Sequence, residues 1–232
     1  FTHMLHGLAK YYTAETKDVL CIGVGIGIVP MLFANEGSTV DAVEINDRIP
    51  KIATKHFGFD AKKLNLTIGD GRQFVNSSKK KYDAVVLDAF LGDSSPSHLM
   101  SQEAFEQMKR VLKNDGVLVI NMFGEFKQGE DFFAASLDKT LKSVFGDVRI
   151  HASGNGNVFF VATPAEALEK NREFDVENAY PTVRREIDLA LQGIRRVNPE
   201  SGIVLTDDYN PVEVHDAGIR EEFRRRLAMD MQ

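Results

Sequence analysis

Asp18-Val-Leu-Cys-Ile-Gly23-Val-Gly25-Ile-Gly27-Ile28 is the stretch from which the fold can be read. Residues 19–22 are a short apolar run of the kind that forms a buried strand, and residues 28–35, ending before Gly37, read as a helix. Between them a Gly-x-Gly-x-Gly turn lets the backbone reverse tightly and approach a ligand without a Cβ clash, beside the free N–H groups of a helix start. Alone such a turn says little; set between a strand and a helix it is a ligand-binding signature.

Outward from this unit the same alternation repeats. Strands are predicted at 39–45, 65–68, 82–87 and 117–121, with helices at 48–57, from Gly71, at 102–112 and at 130–145. Residues 148–151 and 157–162, separated by Gly154-Asn155-Gly156, read as an antiparallel hairpin. Five β/α repeats ending in a hairpin predict an α/β, doubly wound, mostly parallel sheet with helices on both faces. The hairpin ending resembles the seven-stranded, Rossmann-like fold of S-adenosylmethionine-dependent methyltransferases. After Pro164 the pattern changes to helices without strands, at 165–172, 182–195 and 214–229, the second with a stripe of Val183, Ile187, Leu191 and Ile194. The division expected is a domain over 1–163, with an N-terminal helix, and a helical extension over 164–232 packed on it.

Composition narrows the partners. Across 232 residues, 28 Lys+Arg against 34 Asp+Glu give a net charge of −6, and 43% of residues are hydrophobic. An acidic balance with no basic run across a face argues against nucleic acid and suits a cationic or neutral small substrate. The single cysteine, Cys21, excludes an internal disulfide framework and suits a reducing compartment, so a cytoplasmic location is expected. Residues 1–13 lack the order of a signal peptide. The charge-free stretch 19–35 is shorter than the roughly 20 apolar residues of a membrane span and is broken by glycines and Pro30. A chain that opens at Phe1 in place of Met reads as part of something longer.

Three candidate ligand elements follow three successive strands. The first is the turn itself, Gly23, Gly25 and Gly27. The second is Glu44, 21 residues after Gly23, whose carboxylate can accept from both hydroxyls of a ribose, or be a solvated strand-end charge. The third is Gly69-Asp70-Gly71, where Asp70 can accept from an exocyclic amine, cap the next helix, or do both. Ile45 and Ile68 would cover a flat base. Together these predict an adenosine-type site. Asp88 ends the most apolar strand, where a carboxylate is costly unless it is paired or working. Asp93 lies five residues further on, in a loop rich in Gly, Ser and Pro. Two carboxylates beside a sulfonium ligand suit a cationic amine, one holding the ammonium and the other accepting its proton. His3 and His6 share a helix face but lack a third ligand, so no metal site is expected. His98 and Tyr209 could touch substrate or be structural. Cys21 reads as an inert core residue, Lys79-Lys80-Lys81 as a surface turn and Arg224-Arg225-Arg226 as a solvated helix end.

The run of motifs resembles the spermidine synthase (polyamine aminopropyltransferase) family. The matches are the glycine turn, Val43-Glu44-Ile45, Gly69-Asp70-Gly71, Tyr82-Asp83 with Asp88, Pro96 and Leu99, and the closing Asp208-Tyr209-Asn210-Pro211-Val-Glu213-Val-His215-Asp-Ala217. The Asp88-Ala-Phe90 and Leu205-Thr-Asp-Asp-Tyr209 variants resemble a branch often fused to membrane transporters. The resemblance implies ribose on Glu44, adenine on Asp70 and Asp88 as general base; Asp93, read as the second carboxylate, and Tyr209 complete the expected catalytic set. It implies decarboxylated S-adenosylmethionine as co-substrate, an amine such as putrescine as acceptor, and a homodimer. The sequence departs from the family at Ile26, where an Asp usually stands in the turn, and near His3, where an acidic residue is usual; Asp93, Asp207 or Asp208 could compensate. The family's upstream β-hairpin domain is also absent from this sequence. Two alternatives are an S-adenosylmethionine-dependent methyltransferase acting on a small molecule and a non-catalytic nucleoside-binding module.

Overall fold

The computed structural model describes residues 1–90, 96–124, 126, 131–152, 156–174 and 181–214, with the backbone alone at 181–183. Helix α1 (Thr2–Tyr12) leads into β1 (Asp18–Ile22), α2 (Ile28–Asn35), β2 (Thr39–Glu44), α3 (Arg48–Phe57), β3 (Asn65–Ile68) and α4 (Gly71–Ser77). Then come β4 (Tyr82–Leu87), α5 (Gln102–Val111), β5 (Leu112–Phe123), α6 (Phe132–Val144), β6 (Asp147–Ala152) and β7 (Asn157–Thr163). α7 (Pro181–Gln192) and the short β8 (Ile194–Arg195) follow. The sheet order is β3-β2-β1-β4-β5-β7-β6-β8. β1 to β5 are parallel, while β7 runs antiparallel between β5 and β6. The chain winds outward from β1 to β3, then returns to place β4 on the other side of β1. That reversal opens a crevice at the carboxyl ends of β1 and β4.

Alternation along the central strands builds a core on each face. Leu20, Ile22, Val85, Leu87, Leu118 and Ile120 point to one side and pack with Phe105, Met108, Phe133 and Leu137 of α5 and α6. Val19, Cys21, Ala84, Val86, Val117 and Val119 point to the other and pack with Leu5 and Leu8 of α1 and Phe33 of α2. These strands are apolar on both faces because both faces are covered.

The C-terminal part departs from expectation. Residues 165–172 form bends, not a helix, because their donors are used elsewhere. Leu168 N–H bonds to Asp147 Oδ2 (2.8 Å), and Asn171 N–H to the Tyr11 carbonyl at the end of α1 (2.9 Å). α7 stops at Gln192, Gly193 follows, and Ile194–Arg195 adds an eighth strand against β6, which leaves Ile194 49% exposed and not core-facing. The 203–214 segment returns across α5 and α6: Leu205 N–H donates to Thr140 Oγ1 (2.9 Å), Gln102 N–H to the Leu205 carbonyl (2.8 Å), and Leu205 and Val212 join the main core. The helix predicted over 214–229 lies beyond the described residues apart from Val214, as do His215, Ala217, Arg224, Arg225 and Arg226. Gly154 and Asn155 of the hairpin turn are likewise outside them. No helix among the described residues is long and apolar enough to cross a membrane.

A buried polar contact ties α1 to the antiparallel edge. His151 Nδ1–H donates to the Ala190 carbonyl (3.0 Å), which leaves Nε2 to accept from the Tyr12 hydroxyl (3.0 Å). Burial pulls the His151 imidazole down to about 4. The unfolded chain therefore takes up a proton near pH 6.5 that the folded chain refuses until about pH 4. Stability from this site is full above the upper value and falls as pH drops through the window. Urea unfolding should show a loss of up to about 1.4 kcal/mol per pH unit there. His151→Gln should flatten that slope, whereas an identical slope in the variant would assign it to other groups.

Candidate active site

The crevice is built from the glycine turn outward. Gly23, at φ +91, donates its N–H to the Val43 carbonyl (2.8 Å), and a Cβ there would lie 2.2 Å from the Asp88 carbonyl oxygen. Gly27, at φ +85, starts α2 against the Phe59 ring, 2.3 Å from where a Cβ would stand. Gly25, at φ +53, lines the cleft, and a Cβ there would meet nothing within 4 Å. Two glycines thus permit close packing and the third keeps a wall low.

Glu44 ends β2 and is only 8% exposed, so it is not a solvated strand-end charge. Its Oε2 accepts from Val24 N–H in the turn (3.0 Å) and its Oε1 from Asn46 N–H (2.9 Å). Each oxygen keeps a lone pair for a ligand. Asp70 caps α4, with Oδ1 accepting from Gln73 N–H (2.8 Å) and Oδ2 from His98 Nε2–H (3.0 Å). Gly71, beside it, lies so close to Ile22 that a Cβ would come within 2.4 Å of its Cγ2.

Asp88 follows β4 and bonds its N–H to the Ile22 carbonyl (2.9 Å). Burial raises its carboxyl above the ordinary range, and a 2.9 Å hydrogen bond from Asn121 Nδ2 to Oδ1 opposes that rise by favouring the charged form. Asn121, two residues before the end of β5, is 2% exposed, and its own Oδ1 has no hydrogen-bond partner among the described residues. Sequence reading passed over Asn121; an amide ending the strand beside an apolar strand that ends in Asp was the available signal. It also missed Phe90 and Ile49, which line the cleft with Ile45, while Ile68 does not.

The structure therefore brings Gly23, Gly25, Glu44, Asp70, Gly71 and Asp88 to one cleft. Asp93 lies outside the described residues. Tyr209 is 65% exposed in a turn closed by two backbone bonds to Thr206, and it does not line the cleft. Asp207 is held by Arg72, which keeps its carboxyl below the usual range, so it is not a spare carboxylate for a substrate. His6 packs on Phe33, 3.3 Å from Glu36, and His3 is exposed; neither lines the cleft. Cys21 is buried, its thiol pushed up by burial.

Charge divides the two ends of the sheet. At the amino ends, Lys80 lies 3.1 Å from both Asp18 and Asp41, and Lys113 lies 2.8 Å from Asp83. The Lys79–Lys81 turn is thus part of an ion-pair network. At the carboxyl ends, no described Lys or Arg forms an ion pair with Glu44, Asp70 or Asp88. Their contacts are backbone N–H groups, His98 and Asn121. Three carboxyl groups without a Lys or Arg partner in one cleft suit a cationic ligand.

The fold is that of a methyltransferase-like Rossmann protein, with an acidic cleft at the carboxyl ends of its parallel strands. The model of the spermine/spermidine synthase domain matches residues 1–153, and the chain belongs to that family. It is similar to the polyamine aminopropyltransferase of Vibrio vulnificus, with 30% identity over 217 residues, 88% of this chain and 71% of that one. The N-terminal histidine N-methyltransferase of Emericella nidulans is 32% identical over 151 residues, 62% of this chain and 26% of that protein, so the chain spans less than a third of it. A crystal structure of a probable spermidine synthase from Corynebacterium glutamicum superposes with a TM-score of 0.63 at 18% identity, covering 85% of this chain and 79% of that one, and shares the fold.

Replacing Gly23 tests the close approach of turn and strand. Gly23→Ala should destabilise the protein by about 2–4 kcal/mol, from positive φ and the clash with the Asp88 carbonyl. Chemical denaturation measures this, and an unchanged midpoint would contradict the packing.

Proposed function

We propose that this chain is an aminopropyltransferase whose cleft binds the nucleoside of decarboxylated S-adenosylmethionine and an amine such as putrescine. The observation that carries the reading is the convergence of Glu44, Asp70 and Asp88 on one cleft without a Lys or Arg ion pair among the described residues. The fit of an adenosine is supported by the open face at Gly25 and the lone pairs left on Glu44. In this reading Glu44 accepts from the ribose hydroxyls and Asp70 from the base's exocyclic amine. Ile45 and Ile49 supply the apolar cover.

The sulfonium donor supplies an activated carbon with a thioether leaving group, so the protein's part is alignment and proton removal. An alkylammonium has a pKa near ~10.4 and cannot attack until deprotonated. Asp88 is the base assigned to that proton. Asn121 holds one of its oxygens, leaving the other for the amine, and burial brings its proton affinity closer to that of the amine. Asp93 stays in the reading as a second carboxylate for the ammonium; Tyr209 does not. The transporter-fused branch and the homodimer rest on the family resemblance, and the cytoplasmic location on the single cysteine.

Methyl transfer to a small molecule is the second reading. It is favoured by the exposed, uncharged Ile26 in the turn and by the relative named as an N-methyltransferase. Incubation with S-adenosylmethionine or its decarboxylated form and a panel of amines, read by mass spectrometry, separates the readings. Methylthioadenosine is expected; S-adenosylhomocysteine would replace the first reading by the second, and tight nucleoside binding without turnover would leave a binding module. Asp88→Asn should lower turnover at least ~100-fold with nucleoside affinity nearly unchanged. Equal activity in that variant would remove Asp88 as the base. Glu44→Ala should weaken nucleoside binding about tenfold or more in calorimetry, through lost charge-assisted hydrogen bonds. Unchanged affinity would remove the ribose role.

A further inference from the structure

The 3-10 turn Ser97–Leu99 forms one wall of the cleft and is gripped from outside it. Arg72, two residues after Asp70, donates from Nη1 to the His98 carbonyl (3.0 Å) and to Asp207 Oδ1 (2.7 Å), and from Nη2 to Asp207 Oδ2 (2.5 Å). Ser101, the cap of α5, adds a hydroxyl bond to the same carboxylate (2.5 Å), and Asn210 Nδ2 donates to the Ser97 carbonyl (2.9 Å). A bidentate guanidinium–carboxylate pair is directional, so the backbone of His98 is set by this clasp between α4 and the 203–214 segment.

From that fixed backbone the imidazole reaches Asp70 Oδ2, the oxygen that the helix cap does not use. With only Gln73 N–H on Oδ1, the carboxylate could swivel about Cβ–Cγ. With both oxygens held, its remaining lone pairs point in set directions. We propose that His98 is a positioning residue for Asp70 and so sets the preference of the cleft for a base that presents an exocyclic amine over one with a carbonyl there. The carboxylate accepts from an amino group and repels a carbonyl oxygen, and holding it in place spares the hydrogen bond to the amine the cost of ordering it, which widens the difference between the two bases. The inference rests on the assignment of Asp70 to the base.

The test is calorimetric binding of methylthioadenosine and of methylthioinosine, which differ at that exocyclic atom, to the intact protein and its variants. The unaltered chain should favour the amino nucleoside at least about tenfold, as expected for a polar mismatch. His98→Ala should cut that ratio about fivefold or more with an unchanged melting temperature, since the side chain is 40% exposed. His98→Gln, whose amide can donate in place of Nε2–H, should restore most of it. No preference in the unaltered chain would overturn the assignment of Asp70 itself. A preference that persists in His98→Ala, or a Gln variant that behaves like Ala, would overturn the role of His98 alone.

Discussion

The close approach of Gly23 to the Asp88 carbonyl is the constraint from which the cleft follows. With no side chain between them, β1 and β4 end at the same height and their loops diverge from one point. The same turn bonds to Val43 through Gly23 N–H and to Glu44 through Val24 N–H, which draws β2 into the arrangement. β3 joins through Gly69 N–H to the Glu44 carbonyl (2.9 Å), which places Asp70 beside Glu44. Each acidic residue is therefore carried into place by backbone bonds to a neighbouring strand, and the donors around it then hold its side chain. Such a site can stay charged and rigid together.

The sheet also separates two uses of carboxylate. At its amino ends, Asp18, Asp41 and Asp83 are neutralised by Lys80 and Lys113. At its carboxyl ends no described Lys or Arg pairs with Glu44, Asp70 or Asp88, whose partners are backbone N–H groups, Asn121 and His98. Asp88 is the extreme case: burial raises its proton affinity, and the Asn121 amide and the amino terminus of Phe1 oppose that rise.

The C-terminal segment is part of this design. Its return across α5 and α6 puts Leu205 and Val212 into the core, and its Asp207 meets Arg72, two residues from Asp70. Residues that read as a compensating carboxylate and a substrate tyrosine are thus a clasp and an exposed turn. Asp207 could not be distinguished from a ligand-binding carboxylate in sequence, because its partner lies 135 positions away.

Local pattern was enough for much of the molecule. Residues 28–35, 48–57, 65–68 and 82–87 were bounded by glycines, polar turns and period changes, and the structure keeps those boundaries. Gly23, Glu44, Asp70 and Asp88 were likewise legible, since each stands at the end of a strand in a repeating β/α unit, and that repeat places them at one rim. Non-local bonding was not legible: residues 165–172 give their donors to α1 and β6 in place of their own turn, and Ile194 pairs with β6 in place of extending a helix. Periodicity along the chain thus determined which carboxylates share the cleft. Only tertiary structure decided what holds each of them, because Asn121, His98 and Arg72 act across gaps in sequence that no local pattern records.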